Sequence, residues 1–367
     1  MEQVTLIRPD DWHCHLRDGE YLARTVKDTA ARFARAMVMP NLVPPITGVA
    51  EANAYRQRIL SHAPKESSFT PLMTLYLRED LTVETLRAAK DSGMIMACKL
   101  YPAGATTHSA AGIKKLSSIY PLLECLQEID LPLLIHGESI DPQVDIFDRE
   151  QRFIEQELAP LLQRFPRLRV VIEHISTRVA VDFVKASSAS LAATITAHHL
   201  WFNRNALFSG GIRPHNYCLP ILKRRSDQEA LIKAATSGHA QFFLGSDSAP
   251  HPQSQKESAC GCAGIYTAYA AIELYAQLFA EQNALDQLEK FASLNGPAFY
   301  RLPVNSEKIT LIQSPWQAPT SLTFGGATLI PFLAGEMLQW RAPLTASIGF
   351  AERSVKTTEQ FTRRGNC

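Results

Sequence analysis

The sequence predicts an α/β protein, a (β/α)8 barrel of the TIM type with a C-terminal extension. Three observations predict it. Short apolar runs alternate with longer amphipathic stretches about eight times along the chain. Several runs are continuously hydrophobic, as parallel strands buried on both faces are. The ionisable residues of greatest chemical interest end these runs, and in such a barrel the strand ends converge on one mouth.

The first run, Val4–Ile7, leads into Arg8-Pro9-Asp10-Asp11-Trp12-His13 and opens the first strand segment. Ala36–Met39, Pro71–Leu77, Ile95–Leu100, Leu131–Ile135, Val170–Ile172, Leu191–Ile195 and Phe242–Leu244 supply the other seven. Helical stretches separate them. Glu20–Phe33 and Val49–Ser61 precede the second and third runs, and Thr82–Asp91, Ile113–Glu128, Arg149–Arg164 and Arg178–Ala186 follow in turn. Asp227–Thr236 precedes the eighth run and Tyr266–Glu281 follows it. No Gly/Ser-rich linker divides the chain, so residues 1–342 are expected to form one domain, with Leu288–Trp340 packed on the barrel. Residues 343–367, polar and basic without periodicity, are expected to be a flexible tail.

Composition is that of an ordinary globular chain: 367 residues, 46% hydrophobic, 20% charged. A formal net charge of +1 predicts neither a nucleic-acid nor a membrane partner through bulk charge. The short cluster Lys223-Arg224-Arg225 reads as a solvated helix face. The seven cysteines are odd in number and scattered, which suits reduced thiols in a reducing compartment. Cys260-x-Cys262 is a weak metal signal, because no second Cys/His pair follows at finger spacing. The N-terminal residues lack the basic and apolar regions of a signal peptide, and no stretch approaches the roughly 20 apolar residues of a membrane helix, so the expected location is the cytoplasm.

The chemistry lies at the strand ends. His13 and His15 end the first segment, Lys99 lies near the end of the fourth, His136 and His174 end the fifth and sixth, and Asp247 ends the eighth. His13-x-His15 has the two-residue period that sends both imidazoles off one face of a strand, where they can grip one ion. Four histidines and an aspartate form a nitrogen/oxygen set suited to Zn²⁺, Mn²⁺ or Co²⁺. Lys99 stands out inside an apolar run. Burial and nearby cations favour its neutral amine, which can add carbon dioxide to become a bridging carbamate. Pairing with a carboxylate such as Glu138 or Glu173 is the other reading, and the sequence does not choose between them. His198 and His199 end the seventh segment without an assigned role.

The block Asp10–Asp18 resembles the amidohydrolase superfamily signature as it appears in dihydroorotases, as do Met39-Pro40-Asn41, Lys99-Leu100-Tyr101-Pro102, Ile135-His136-Gly137-Glu138 and Glu173-His174-Ile175. Gly211–His215, Cys218–Lys223, Gly245–His251, Glu257–Gly264 and Ser293–Pro297 resemble blocks of the single-domain bacterial type II class, and similarity runs from about Gln3 to Trp340. The resemblance implies reversible interconversion of (S)-dihydroorotate plus water with N-carbamoyl-L-aspartate, as used in pyrimidine biosynthesis. It implies two zinc ions: His13, His15 and Asp247 holding one, His136 and His174 the other, and N6-carboxylated Lys99 with a hydroxide between them. Asp247 is then the general base and acid.

The same resemblance assigns substrate binding to Arg17, Asn41, His251 and the backbone of Leu219 and Ala263, and loop closure to Thr106 and Thr107. The residues by themselves allow plainer roles. Asn41 before two prolines suits a turn cap, Arg17 can pair with Asp18, His251 can lie on the surface, and residues 102–109 can be an ordinary connection. A homodimer is implied by the family alone. The rivals are a hydantoinase or dihydropyrimidinase, which has less need of the Arg17–Asn41 carboxylate clamp, and a non-catalytic scaffold barrel, which typically loses metal ligands that this chain retains.

Overall fold

The computed structural model describes residues 2–343. The expected tail, from residue 344 onward, lies outside the described residues. Among them, the first apolar run departs from expectation. It forms β1 (Gln3–Ile7), which is not a barrel strand. The barrel consists of β2 (Asp10–Cys14), β3 (Arg35–Val38), β4 (Thr70–Tyr76), β5 (Ile95–Leu100), β6 (Leu133–His136), β7 (Val170–Glu173), β8 (Leu191–Ile195) and β9 (Phe242–Leu244), each hydrogen-bonded to the next. The neighbouring strands are parallel. The ring closes just beyond β9, where Asp247 N–H donates to the His13 carbonyl (2.8 Å) and His15 N–H to that of Ser248 (3.0 Å).

The true first strand hides from an apolar reading because Asp10 and Asp11 are both fully buried in it. Each acid is satisfied locally, as a buried carboxylate must be. Arg35 Nε and Nη2 fork onto Asp10 at 2.8 and 2.6 Å. Asp11 accepts from Ser246 N–H at 2.8 Å and from His13 N–H at 3.1 Å.

The other seven runs match observed strands within about two residues, a shift within the usual uncertainty of element boundaries. Helices fill the gaps with their apolar faces inward. Val49–His62 buries Ala52, Tyr55 and Ile59, spaced three and four apart as one helical face requires. The Thr82 and Thr177 side chains cap the helices Val83–Asp91 and Arg178–Ala186. The stretch 149–164 contains a π-turn at Ile154–Leu158. Among the described residues no helix is long and apolar enough to cross a membrane. Lys223 also corrects an expectation. It precedes the helix Arg225–Ala235, is buried, and donates to the Ile221 carbonyl at 3.1 Å instead of facing solvent.

The extension is partly a sheet. β10 (Lys308–Gln317), β11 (Leu322–Phe324), β12 (Ala327–Leu329) and β13 (Met337–Arg341) follow the barrel, and β10 lies between β1 and β13, antiparallel to both. The barrel interior opposite the mouth is plugged by aromatics. Trp12 stacks on Tyr300 with ring centroids 4.4 Å apart and meets Phe243 edge-on at 6.2 Å. With that end closed by packed side chains, the polar strand ends at the other are left to build a site.

Candidate active site

His13 leaves β2 and His15 follows it, His136 is the last residue of β6, His174 immediately follows β7, and Asp247 lies just past β9. His174 (φ 44°) and Asp247 (φ 42°) adopt left-handed backbone, as does Arg17 (φ 60°). L-residues rarely do so, and here the turn breaks strand alternation where side chains must bend into the mouth. The surroundings hold these turns: His174 N–H donates to Thr194 Oγ1 at 2.7 Å, and the Tyr55 hydroxyl donates to the Arg17 carbonyl.

Three donor atoms form a nearly equilateral triangle. His13 Nε2 and His15 Nε2 are 3.2 Å apart, and Asp247 Oδ1 lies 3.3 and 3.2 Å from them. A tetrahedral cation with bonds of about 2.0–2.1 Å has ligand–ligand edges of about 3.3 Å, so the triangle is one face of such a site. Proton placement agrees. Asn41 Oδ1 lies 2.9 Å from His15 Nδ1 and can only accept, while Asn41 Nδ2 donates to the Thr107 carbonyl at 3.1 Å. Nδ1 of His15 therefore carries the proton and Nε2 offers a lone pair. His13 Nδ1 lies 2.9 Å from Glu173 Oε1 but makes no hydrogen bond to it.

Burial shapes the charges. It lowers the pKa of His13 and His136, drives His174 well below its ordinary value, and pulls His15 to about 3 despite the Asp247 carboxylate. These imidazoles are neutral at physiological pH. Burial also opposes ionisation of Asp247, but the adjoining His13 and His15 rings outweigh it and hold the acid well below the carboxylate range. Lys99 is fully buried, and desolvation pushes its pKa far down. Its amine meets Glu173 Oε2 and lies 4.9 Å from the Tyr101 ring centre. The carboxylate pairing left open by the sequence is thus the one present in the bare chain.

The second set is less closed. The His136 and His174 ring centres are 4.8 Å apart, and those of His13 and His174 4.9 Å. His136 Nε2 is taken by Glu138 Oε2 at 2.8 Å, whereas His174 Nδ1 is buried with no protein partner.

Around these groups lies a small cavity of ≈ 20 Å³ whose lining includes Arg17, Asn41, Thr106, Thr107, Leu219 and Ala263. Arg17 does not pair with Asp18, which Arg58 takes at 2.9 and 2.7 Å. Instead Arg17 Nε donates to the Pro250 carbonyl and Nη2 approaches His251 Nε2, both at 3.0 Å. His251 is buried, with Nε2 also 3.0 Å from the Ala263 carbonyl, and Thr107 Oγ1 donates to that carbonyl at 3.3 Å. The structure brings all the sequence-singled residues to one mouth, with Lys99 beneath the cavity and His251 behind Arg17.

Sequence reasoning gave no role to Tyr101, which lines the cavity with its hydroxyl unpartnered. The signal was available, since Tyr101 stands two residues beyond Lys99 and shares its side of the chain. Asp11, which pins His13 and Ser246, left no such trace in the sequence.

Comparison with known proteins agrees with this geometry. The family described as "Amidohydrolase family" matches residues 5–324. A dihydroorotase of Coxiella burnetii is 64% identical over 341 residues, covering 93% of this chain and 98% of the relative. A solved dihydroorotase of Campylobacter jejuni superposes with a TM-score of 0.86 at 36% identity, over 93% of this chain and 97% of that one. A Saccharomyces cerevisiae dihydroorotase, solved with 5-fluoroorotic acid, gives 0.85 at 36% identity, over 93% and 98%.

Proposed function

This chain belongs to the amidohydrolase family and, within it, to the dihydroorotases, and from that premise we propose how its own residues carry out the reaction. The reaction interconverts (S)-dihydroorotate plus water with N-carbamoyl-L-aspartate. The observation that carries the reading is the His13–His15–Asp247 triangle set beside the Arg17–Asn41–His251 group in one closed mouth.

The donor set fits divalent cations: neutral imidazoles with free lone pairs, an ionised carboxylate, and an orphaned buried nitrogen on His174. We assign His13, His15 and Asp247 to one zinc ion and His136 and His174 to a second. Lys99 is assigned as their shared ligand in N6-carboxylated form. Its desolvated, neutral amine is the state that adds carbon dioxide, and Glu173 would then exchange its contact with that amine for its place beside His13 Nδ1. Bound zinc would supply acidification of water and polarisation of the scissile amide carbonyl.

The remaining work falls to the chain. Asp247 accepts the proton of the attacking water and returns it to the departing ring nitrogen. Arg17 forks onto the substrate carboxylate, with Asn41 and His251 completing that pocket. Backbone groups of Leu219 and Ala263 face the ring amides, and Thr106 and Thr107 close over the substrate and exclude water. Residues 1–342 act as one unit, and we assign the protein to the cytoplasm as a homodimer.

The test is loss of the ultraviolet band of the ring amide on incubation with dihydroorotate, with metal determined on the same sample. Turnover with about two metals per chain is expected. Metal-replete protein that leaves dihydroorotate untouched would overturn the proposal. A single species at monomer mass in light scattering would remove the dimer.

A further inference from the structure

The backbone side of the pocket is made by two segments far apart in the chain, 217–219 and 262–264. One residue joins them. Lys256 ends the short helix Gln253–Lys256 and is buried, with 3% of its surface exposed. Its ammonium donates to the carbonyls of Tyr217 (2.7 Å), Cys262 (2.9 Å) and Gly264 (2.8 Å). A lysine ammonium has three N–H donors, so all are used, and all on backbone. Among the described residues it pairs with no carboxylate. A buried cation held by carbonyls alone is costly to desolvate, and it is retained here at the edge of the mouth.

The three carbonyls are placed where the pocket needs them. Cys262 and Gly264 flank Ala263, and Tyr217 is two residues before Leu219. Gly264 N–H also donates to the Tyr217 carbonyl at 3.0 Å, so the segments are tied from both directions. On its other side the 262–264 segment is pressed against the pocket wall. Gly264 has φ +150°, and a Cβ there would lie 2.9 Å from His251 Cδ2. The Ala263 carbonyl meets His251 and Thr107. A shift of 262–264 would therefore move the backbone facing the ring and the partner of Arg17 together.

We infer that Lys256 is a positioning residue for substrate: a three-pronged internal clamp that fixes the backbone of 217–219 and 262–264 at the spacing the ring amides require. This rests on the dihydroorotate reading above. Because Lys256 touches none of the assigned metal ligands, removing it acts on binding geometry and leaves the metal centre in place. A residue serving stability alone would lower the melting temperature and leave the kinetic constants of the folded enzyme unchanged.

The experiment compares metal-loaded wild type with Lys256→Met, which keeps an unbranched stem and removes the donors, and Lys256→Gln, which keeps two N–H donors without the charge. KM, kcat and metal content are measured with dihydroorotate. Lys256→Met is expected to raise KM about tenfold or more with kcat within about threefold and metal content unchanged, and Lys256→Gln to fall between it and wild type. Wild type without turnover brings down the functional reading. Wild type with turnover and a Lys256→Met KM within about twofold leaves that reading standing and overturns the clamp. If neither variant folds, hydrogen exchange on wild type decides. The 217–219 and 262–264 amides must open together, and independent opening overturns the inference.

Discussion

Replacing Arg17 by methionine isolates the carboxylate clamp. Methionine keeps the unbranched stem, and an unbranched side chain at φ 60° carries the same backbone strain as arginine, so the left-handed turn is not newly penalised. No carboxylate is orphaned, because Asp18 is held by Arg58 and Arg17 contacts only the neutral His251 and a backbone carbonyl. The loss is therefore concentrated in substrate binding. A guanidinium fork makes two charge-assisted hydrogen bonds worth about 1.5–3 kcal/mol each, about 3–6 kcal/mol together. At about 1.4 kcal/mol per decade this is a 10²- to 10⁴-fold loss in kcat/KM. The assay follows the ring-amide absorbance with dihydroorotate and with 5,6-dihydrouracil, the same ring without the carboxylate, at matched metal content. Activity on dihydroorotate should collapse while the poor activity on dihydrouracil is unchanged, erasing the preference between them. A loss below about fivefold in a metal-replete variant would refute the assignment of Arg17 to the carboxylate and reopen the cyclic-amidase alternatives.

Ring opening turns one carboxylate into two and releases a proton, so acid favours closure and alkali favours opening. The equilibrium ratio of open to closed forms should rise about tenfold per pH unit between about 6 and 8, and chromatography showing a flat ratio would contradict the reaction. Chelation should abolish turnover and added zinc restore it, and activity that survives complete metal removal, checked by elemental analysis, would exclude the metal assignment. Asp247→Asn should lower kcat at least about 10²-fold even where metal is retained, because the amide cannot accept the proton of water; near-normal kcat would place the base elsewhere. Gly296→Ala should lower the melting temperature or prevent folding, since a Cβ there runs into the Trp12 indole that plugs the barrel. Overpacking of this kind costs about 1–3 kcal/mol or more, and an unchanged melting temperature would mean that the plug is loose.

The fold and the clustering of the candidate metal ligands were legible in the sequence for a topological reason. Parallel strands buried on both faces advertise themselves as apolar runs, and a barrel carries whatever ends them to one mouth, so His136, His174 and Asp247 could be placed together without knowing a single loop. The first strand failed this test because the fold there spends two buried aspartates on internal bonds to Arg35, Ser246 and the His13 backbone, while the genuinely apolar Val4–Ile7 serves an antiparallel sheet outside the barrel. Lys99 was legible as an anomaly but not in its partner, because the choice between Glu138 and Glu173 depends on which strand end lies across the barrel.

The substrate side is written in a different medium. Leu219 and Ala263 are expected to act through backbone groups that every residue possesses, so residue type carries no trace of the role, and only likeness to whole motifs could single them out. What places those groups is equally silent. Lys256 reads as a common cation at the end of a short polar segment, Gln253-Ser254-Gln255-Lys256, and nothing in its neighbours announces that it will be buried against three carbonyls. Recognition built from backbone atoms is therefore specified at a distance, by residues whose chemistry looks ordinary until the chain segments they tie are seen side by side. That is why the proposed metal ligands can be picked out one by one, whereas the spacing of the backbone proposed to face the ring has to be sought by substituting a side chain that need never touch the substrate.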